Sequence, residues 1–135
     1  MSSKHQEKAS RLRQQVRTLW HQMNADLERV MTYRSLLKGS IYRWEHKCGR
    51  QGCHCARGEL HVHWVLSYYD RTGKLVKLYL TEEEHAILHG PAKAHKEYRE
   101  IRARLVRRHS EVMALLDQLE KAVQAKLPER RRKKR

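Results

Sequence analysis

A short block rich in cysteine and histidine constrains this chain more than any other part of its sequence. The block runs from Cys48 to His63, reads CGRQGCHCARGELHVH and contains all three cysteines. Cys48, Cys53 and Cys55 have C-x4-C-x-C spacing, and the glycines among them allow the tight turns that bring thiolates together. Thiolates favour Zn²⁺, and a small β-structure commonly needs a metal to be stable. The block therefore predicts a zinc-binding loop.

A closed zinc site needs a fourth ligand, and His61 is the preferred candidate. It follows Cys55 at a distance that lets the chain fold back, at the entry to the next predicted strand. His63 lies on the same side of that strand and is the alternative ligand. His54 and His46 are less well placed, between two ligands or on the preceding strand. Metal-free reduced cysteines and a redox-active pair are the competing interpretations, although no C-x-x-C motif is present.

Alternation of side chains predicts three short strands around this loop. The strands are Ser40–His46, His61–Tyr69 and Leu75–Leu80, and the turn residues Asp70–Gly73 join the last two into a hairpin. A sheet of this size needs a staple or a helix against one face to be stable.

Helical periodicity lies on both sides of the predicted sheet. From about Ser10 to Lys38, apolar residues recur at steps of mostly three and four, and Gly39 is a typical helix stop. Thr81 followed by three glutamates is a capping signature that opens a second helix. Gly90-Pro91 is expected to kink or briefly break this helix, which then continues to about Lys126.

Together these elements predict an α+β protein. Two long helices form an antiparallel helical hairpin that flanks a small three-stranded antiparallel sheet with a zinc-binding loop. We expect one folding unit with four segments: an N-terminal amphipathic helix (residues 1–38), a zinc-loop β-element (39–80), a C-terminal long helix kinked near Gly90-Pro91 (81–127) and a basic disordered tail (128–135).

The charge of the chain points to a polyanionic partner. Thirty Lys and Arg against 15 Asp and Glu give a net charge of +15, which attracts nucleic acid and makes binding sensitive to salt. Residues 1–38 carry +5, residues 39–80 carry +4, residues 81–127 carry +1 and residues 128–135 carry +5. The basic surface is therefore expected on the first helix, the centre and the tail.

We expect binding of DNA or RNA mainly through phosphate contacts. The predicted contact residues surround the metal loop, the hairpin and the tail: Lys47, Arg50, Gln51, Arg57, Arg71, Lys74, Lys77, Arg130, Arg131, Arg132, Lys133, Lys134 and Arg135. Arginines on the helices extend this surface or form an ordinary solvated face: Arg11, Arg13, Arg17, Arg99, Arg102, Arg104, Arg107 and Arg108. Trp44, Tyr69 and Tyr79 can stack on bases, although core packing is the favoured interpretation for Trp44 and Trp64.

The sequence does not predict an enzyme. Four protein ligands fill a tetrahedral zinc ion, which is typical of a structural site. The alternative function is a structural or oligomerisation adaptor, in which the helical seams form a coiled coil with a second copy or a partner helix. The N-terminus lacks an apolar leader and no stretch is apolar enough to span a membrane, so we expect a cytoplasmic protein.

The cysteine block also resembles a known family. The run from Tyr42 to His61, followed by Leu66-Ser67-Tyr68 and a Gly-Lys turn, is similar to small uncharacterised prokaryotic proteins with the signature CGK-x-GCxCA-x-GxxH. The resemblance covers about residues 36–105. In that family Gly-Pro usually follows the histidine that matches His61, where this chain has Val62-His63. The resemblance implies a zinc-binding fold and an occurrence near mobile elements.

Overall fold

The structure is a computed structural model that describes residues 3–130. In this range the chain forms two helices and a three-stranded antiparallel sheet, which confirms the predicted α+β class. The elements are α1 (Ser3–Val30), β1 (Ser40–His46), a short 3-10 helix (His54–Arg57), β2 (His61–Tyr69), β3 (Leu75–Leu80) and α2 (Glu82–Ala122). None of the described helices is long and apolar enough to cross a membrane.

The described chain divides into two compact units. The helical unit contains α1 up to Arg29 and the chain from Arg102 onward, whereas the sheet unit is Val30–Ile101. The helix α2 contributes its first part to the sheet unit and its last part to the helical unit.

The core of the helical unit is a small apolar cluster. Ala9, Leu12 and Ala122 are buried at its centre, with partly buried side chains from the end of α2 and the residue after it packed against them: Leu115, Leu119 and Val123. Leu12, Leu119 and Val123 belong to the predicted apolar stripes, whereas Ala9, Leu115 and Ala122 do not, so helical periodicity located only part of this core.

A second set of contacts in the helical unit is ionic. Asp26 is buried, and both its carboxylate oxygens accept hydrogen bonds from Arg104, at 3.1 and 2.7 Å. Arg108 also donates to this carboxylate. The hydrogen bond from Arg104 is the largest cause that holds the pKa of Asp26 below its ordinary value. Two arginines that the sequence grouped with the solvated basic face thus neutralise a buried carboxylate.

The first helix ends earlier than predicted. It stops at Val30 rather than near Lys38, and the chain then crosses to the sheet through contacts with α2. The Tyr33 hydroxyl donates to Glu97 at 2.7 Å, and the backbone N–H of Leu37 donates to the carbonyl of Pro91 at 3.0 Å. These contacts are distant in sequence, so local periodicity does not reveal them.

Gly39 serves the sheet rather than stopping a helix. A Cβ at this position would lie 2.8 Å from Leu66 Cδ1 and 3.1 Å from the carbonyl oxygen of Ser67, closer than side-chain atoms normally approach. The absence of a side chain therefore allows the strand entry to lie directly against β2.

The second helix begins as predicted. The Thr81 hydroxyl accepts a hydrogen bond from the Glu84 N–H at 3.1 Å, and the Thr81 N–H donates to the Glu84 carboxylate at 3.0 Å. This is a complete capping box. The helix is continuous through Pro91, so the predicted break is absent. Proline cannot donate to the carbonyl of Ile87, but the loss of one bond does not end a long helix.

The three strands have the predicted limits and form a sheet in the order β1-β2-β3. His46 pairs with His61 at one end of the first ladder, and Ser40 pairs with Ser67 at the other. The hairpin turn is closed by Asp70, whose side chain accepts hydrogen bonds from the N–H groups of Thr72 at 2.9 Å and Lys74 at 3.0 Å. The turn therefore owes its geometry to an aspartate that the sequence identified.

Candidate metal centre

The pairing of β1 with β2 holds the two ends of the cysteine loop together. Because His46 and His61 are partners at the end of the β1–β2 ladder, the loop between them starts and finishes at the same edge. Within the loop, Gly52 (φ 77°) and Gly58 (φ 107°) adopt left-handed backbone conformations that other residues rarely take. The N–H of Cys53 donates to the Arg50 carbonyl at 3.3 Å, so two turns fold the chain back onto itself.

These turns bring four potential ligands together. The ligand atoms of Cys48, Cys53, Cys55 and His61 all lie within 4.8 Å of one another. The sulfurs of Cys48 and Cys55 are 3.6 Å apart, and the Cys53 sulfur lies 3.2 Å from His61 Nε2. A tetrahedral ion with metal–sulfur bonds of about 2.3 Å separates its sulfurs by roughly 3.8 Å. The group therefore fits one tetrahedral metal ion, consistent with zinc.

The group is buried on one side and open on the other. Cys55 is 1% exposed, Cys53 is half-buried and Cys48 is exposed, and all three thiols are free. The N–H of Cys48 donates to the Cys55 sulfur at 3.4 Å. A backbone donor aimed at sulfur stabilises a thiolate, which is the form that binds metal.

The pKa values of two thiols in the group are shifted in opposite directions. A hydrogen bond from the Arg50 backbone, aided by contacts with Cys53, Cys55 and His61 against the effect of burial, lowers the pKa of Cys48 to about 6. The backbone of Cys55 lowers the pKa of Cys53, but contact with the Cys48 side chain, burial and the Cys55 side chain outweigh it and raise that pKa. A bound cation would favour deprotonation of both, because a coordinating thiol loses its proton.

Other histidines surround the group without joining it. His63 is two residues further along β2, where its ring lies 5.1 Å from that of His46. His54 approaches the His61 ring edge-on at 5.1 Å, and its Nδ1 is 3.9 Å from the Cys53 sulfur. Among the described residues the four-ligand group therefore contains His61 rather than the alternative His63.

The basic residues proposed from the sequence lie in three places. Lys47, Arg50, Gln51 and Arg57 are exposed in the metal loop, and Arg71 and Lys74 are exposed at the hairpin turn. Lys77 is exposed on β3 and Arg130 lies at the end of the described chain. The remaining predicted contacts, Arg131, Arg132, Lys133, Lys134 and Arg135, lie outside the described residues.

A basic groove in the sheet unit gathers other cations. Its volume is about 1060 Å³, and it is lined by residues of β1, the β2–β3 hairpin, α2 and the segment before the sheet. Its lining contains five lysine or arginine residues and one carboxylate: Lys38, Lys77, Lys93, Lys96, Arg99 and Glu100. His89 and His95 also line it. We call these residues, together with the lining tyrosines Tyr42, Tyr68 and Tyr69, the basic groove. Its charge is complementary to phosphate.

The sequence predicts that some of the residues lining this groove lie together, but not the groove itself. The steps of three from Lys93 to Lys96 to Arg99 place these residues on one side of α2, which is a signal visible in the sequence. Their meeting with Lys38 and Lys77 depends on how α2 packs beside the sheet, and no local pattern encodes that contact.

The fold and the four-ligand group define an α+β protein with a candidate metal centre at the edge of a small antiparallel sheet. The family model of DUF6788, a domain of unknown function, matches residues 8–88, so the chain belongs to this family. No curated protein and no solved structure matches the chain.

Proposed function

We propose that this protein binds nucleic acid without catalysing a reaction, and that a structural zinc ion holds its sheet unit together. The observation that carries the proposal is the basic groove, in which five cations face one carboxylate. The family resemblance adds that such a protein would serve as an accessory to a mobile-element machine.

The zinc part of the proposal depends on the chemistry of the four ligands. Three thiolates and one imidazole are a typical donor set for structural zinc, and four protein ligands leave no open position for a substrate. Through Cys48 and His61 the ion would join the two sides of the loop where β1 ends and β2 begins. The arrangement of α1 and α2 as an antiparallel hairpin around this stapled sheet belongs to the same proposal.

Phosphate binding follows from the charge and shape of the groove. Lys93, Lys96 and Arg99 are exposed along α2, and Lys38 and Lys77 are exposed on the other elements that line the groove. A strand of nucleic acid lying there would exchange condensed counterions for these side chains, and the release of the counterions favours binding. The exposed cations of the metal loop and the hairpin turn extend the positive surface of the sheet unit.

The test compares two variants that lose the same charge. Lys93→Gln, Lys96→Gln and Arg99→Gln are combined in the groove variant, whereas Arg102→Gln, Arg107→Gln and Lys121→Gln remove three exposed charges of α2 outside the groove. Binding of labelled single-stranded and duplex oligonucleotides is measured by fluorescence anisotropy over a range of salt concentrations. We expect the groove variant to reduce the slope of log affinity against log salt by about 2 to 3, since each lost phosphate contact removes roughly 0.7 to 0.9.

Two results would contradict the proposal. One is an absence of binding by the wild type at about 50 mM salt, where phosphate contacts are strong. The other is an equal loss of affinity in both variants, which would mean that net charge rather than the groove attracts the ligand.

A second candidate function, an oligomerisation adaptor, is favoured by exposed apolar side chains in the helical unit. Trp20 is 64% exposed and Val106 55%, and Leu27 and Met113 are also exposed. Exposed apolar side chains on helices are typical of surfaces that pair with a second helix. Sedimentation measured at the same salt concentrations separates the candidates, because apolar pairing persists at salt concentrations that release nucleic acid.

A further inference from the structure

One face of the sheet carries aromatic rings on all three strands. In the pairing register Trp44 lies opposite His63, Tyr42 lies opposite Val65, and Val65 in turn lies opposite Tyr79. Directly paired residues point to the same side of a sheet, and side chains alternate along each strand. We call Tyr42, Trp44, His63 and Tyr79 the aromatic face.

Three rings of this face, Trp44, His63 and Tyr79, lie against one another. Trp44 and Tyr79 are nearly parallel, with an interplanar angle of 11° and centroids 5.9 Å apart, and the His63 centroid is 5.1 Å from that of Tyr79. His46 stacks on Trp44 at 3.8 Å. Even so, Tyr79 is 64% exposed, Trp44 39% and Tyr42 38%. The rings of Trp44 and Tyr79 are therefore held in place by their neighbours while much of their surface meets solvent.

The opposite face of the sheet is covered in part by other elements. Trp64 stacks on His85 of α2 at 3.8 Å and 13°, and Leu66 is buried where Gly39 approaches it. The sheet thus has a packing partner on that side, where Val62 and Leu78 are still 44% exposed, and the rings of the aromatic face are not needed to supply one.

The aromatic face is continuous with the basic groove. Tyr42 belongs to both, and Lys77 of the groove lies two residues before Tyr79 on the same side of β3. Toward the other end of the β1–β2 ladder the same side leads to His61 and the metal loop, where Arg50 and Arg57 are exposed. Exposed rings are therefore bounded by cations toward both ends of the sheet.

This arrangement matches an unpaired polynucleotide strand. In a duplex the faces of the bases are covered by stacking, so only unpaired bases can stack on protein rings. Phosphates would lie on the cations at the ends, while bases would stack against the rings between them. A second copy of this chain fits less well, because it would bring Lys77 and the other groove cations against their own counterparts.

We propose that the aromatic face stacks the unpaired bases of a single-stranded nucleic acid whose phosphates occupy the basic groove. This inference rests on the proposed function, because it names the form of nucleic acid that the groove would hold.

The experiment uses the full-length, metal-loaded protein and labelled oligonucleotides of about 12 nucleotides. The probes are oligo(dT), oligo(U) and a DNA duplex of the same length, and the two single strands distinguish a DNA from an RNA ligand. Tyr79→Leu and Trp44→Leu test the rings. Ile87→Ala is the control, since it removes a highly exposed apolar side chain of the sheet unit outside both the aromatic face and the basic groove.

We expect each ring variant to bind at least one of the two single strands about tenfold more weakly, as the loss of one stacked base implies, with duplex affinity unchanged. Tyr79→Phe should retain wild-type affinity, because the ring rather than the hydroxyl carries the interaction, and this result also shows that position 79 tolerates substitution. Ile87→Ala should bind as the wild type does.

Three outcomes would overturn the inference. The first is wild-type single-strand affinity in both leucine variants, and the second is tighter binding of the duplex than of either strand. The third is a dimer that dissociates in the ring variants while single-strand binding is unchanged, which would assign the aromatic face to a second copy. In each case the groove variant still tests the proposed function independently of the aromatic face, because it measures how the groove cations contribute to affinity for any nucleic acid.

Discussion

The contacts of the helical unit and the candidate metal centre of the sheet unit differ in how far apart in sequence their residues lie. In the helical unit, residues far apart in sequence meet: Leu12 lies in a cluster with Ala122, and Asp26 binds Arg104 and Arg108. In the sheet unit, the candidate ligands Cys48 to His61 are neighbours in sequence, joined by one loop. A single ligand substitution should therefore affect the sheet unit alone, whereas the helical unit should depend on its own side-chain contacts.

Substitution of a candidate zinc ligand should have the largest effect, and this effect should be confined to the sheet unit. Cys53→Ser should reduce the zinc content from about one ion per chain to near zero and unfold the sheet, because a structural zinc site contributes roughly 10 kcal/mol or more. Metal analysis measures the first effect, and near-ultraviolet circular dichroism reports the loss of ordered Trp44 and Trp64. The helical signal of far-ultraviolet dichroism should largely persist.

The control for this substitution is His54→Ala. His54 is exposed beside Cys53 but lies outside the four-ligand group, so the variant should keep its zinc and its sheet. A Cys53→Ser protein that retains one zinc per chain, or that loses its helices together with the sheet, would contradict this difference between the two units.

A smaller effect is expected in the helical unit. Asp26→Asn removes the negative charge of the carboxylate that accepts hydrogen bonds from Arg104 and Arg108. The substitution should lower the free energy of unfolding by about 2 kcal/mol. Asp117→Asn removes an exposed carboxylate of the same unit and should have almost no effect. Chemical denaturation followed by helical dichroism measures both, and zinc content should stay unchanged.

The same carboxylate predicts a dependence on pH. The pKa of Asp26 is lowered from its ordinary value of 3.8, so its contribution to stability is fully present above that value. The contribution is lost as pH falls through the lower pKa of the folded state. The difference in stability between wild type and Asp26→Asn should therefore shrink below about pH 4, and a difference that grows with acid would contradict the ion-pair assignment.

The smallest effect tests the start of α2. Thr81→Ala removes the hydroxyl that accepts a hydrogen bond from the Glu84 N–H and caps the start of α2. The substitution should destabilise the sheet unit by about 1 kcal/mol. Thr18→Ala is the matched control, because the Thr18 hydroxyl donates only to the Gln14 carbonyl within α1, and alanine is the better helix former there. Thermal denaturation should show a lower midpoint for the first variant only.

The features that the sequence predicts correctly are those encoded by near neighbours. The strand limits follow from alternation, the capping box from Thr81 and Glu84, and the hairpin turn from Asp70 and Gly73. The clustering of three cysteines with His61 also follows from a local pattern, since one loop contains them all. In each case the interacting residues lie within about fifteen positions of one another, so loop closure costs little.

The features that the sequence misses depend on distant partners. The true end of α1 at Val30 coincides with contacts that Tyr33 and Leu37 make with α2, more than fifty residues away. The roles of Arg104 and Arg108 depend on Asp26, and the groove depends on Lys38 meeting α2. Composition shows that these residues are charged or apolar, but only packing decides which of them meet.

Side chains alternate between the two faces of the sheet along β2, and this alternation restricts where residues can be inserted into or deleted from the chain. His61 and His63 point to the same side of the sheet as their partners His46 and Trp44. An inserted or deleted codon between His61 and Val65 would move the candidate ligand to the side opposite the aromatic face, because neighbouring positions of a strand alternate. Length variation among relatives should therefore collect in the cysteine loop before Cys53 or at the Asp70–Gly73 turn, where an added residue leaves the alternation of β2 intact.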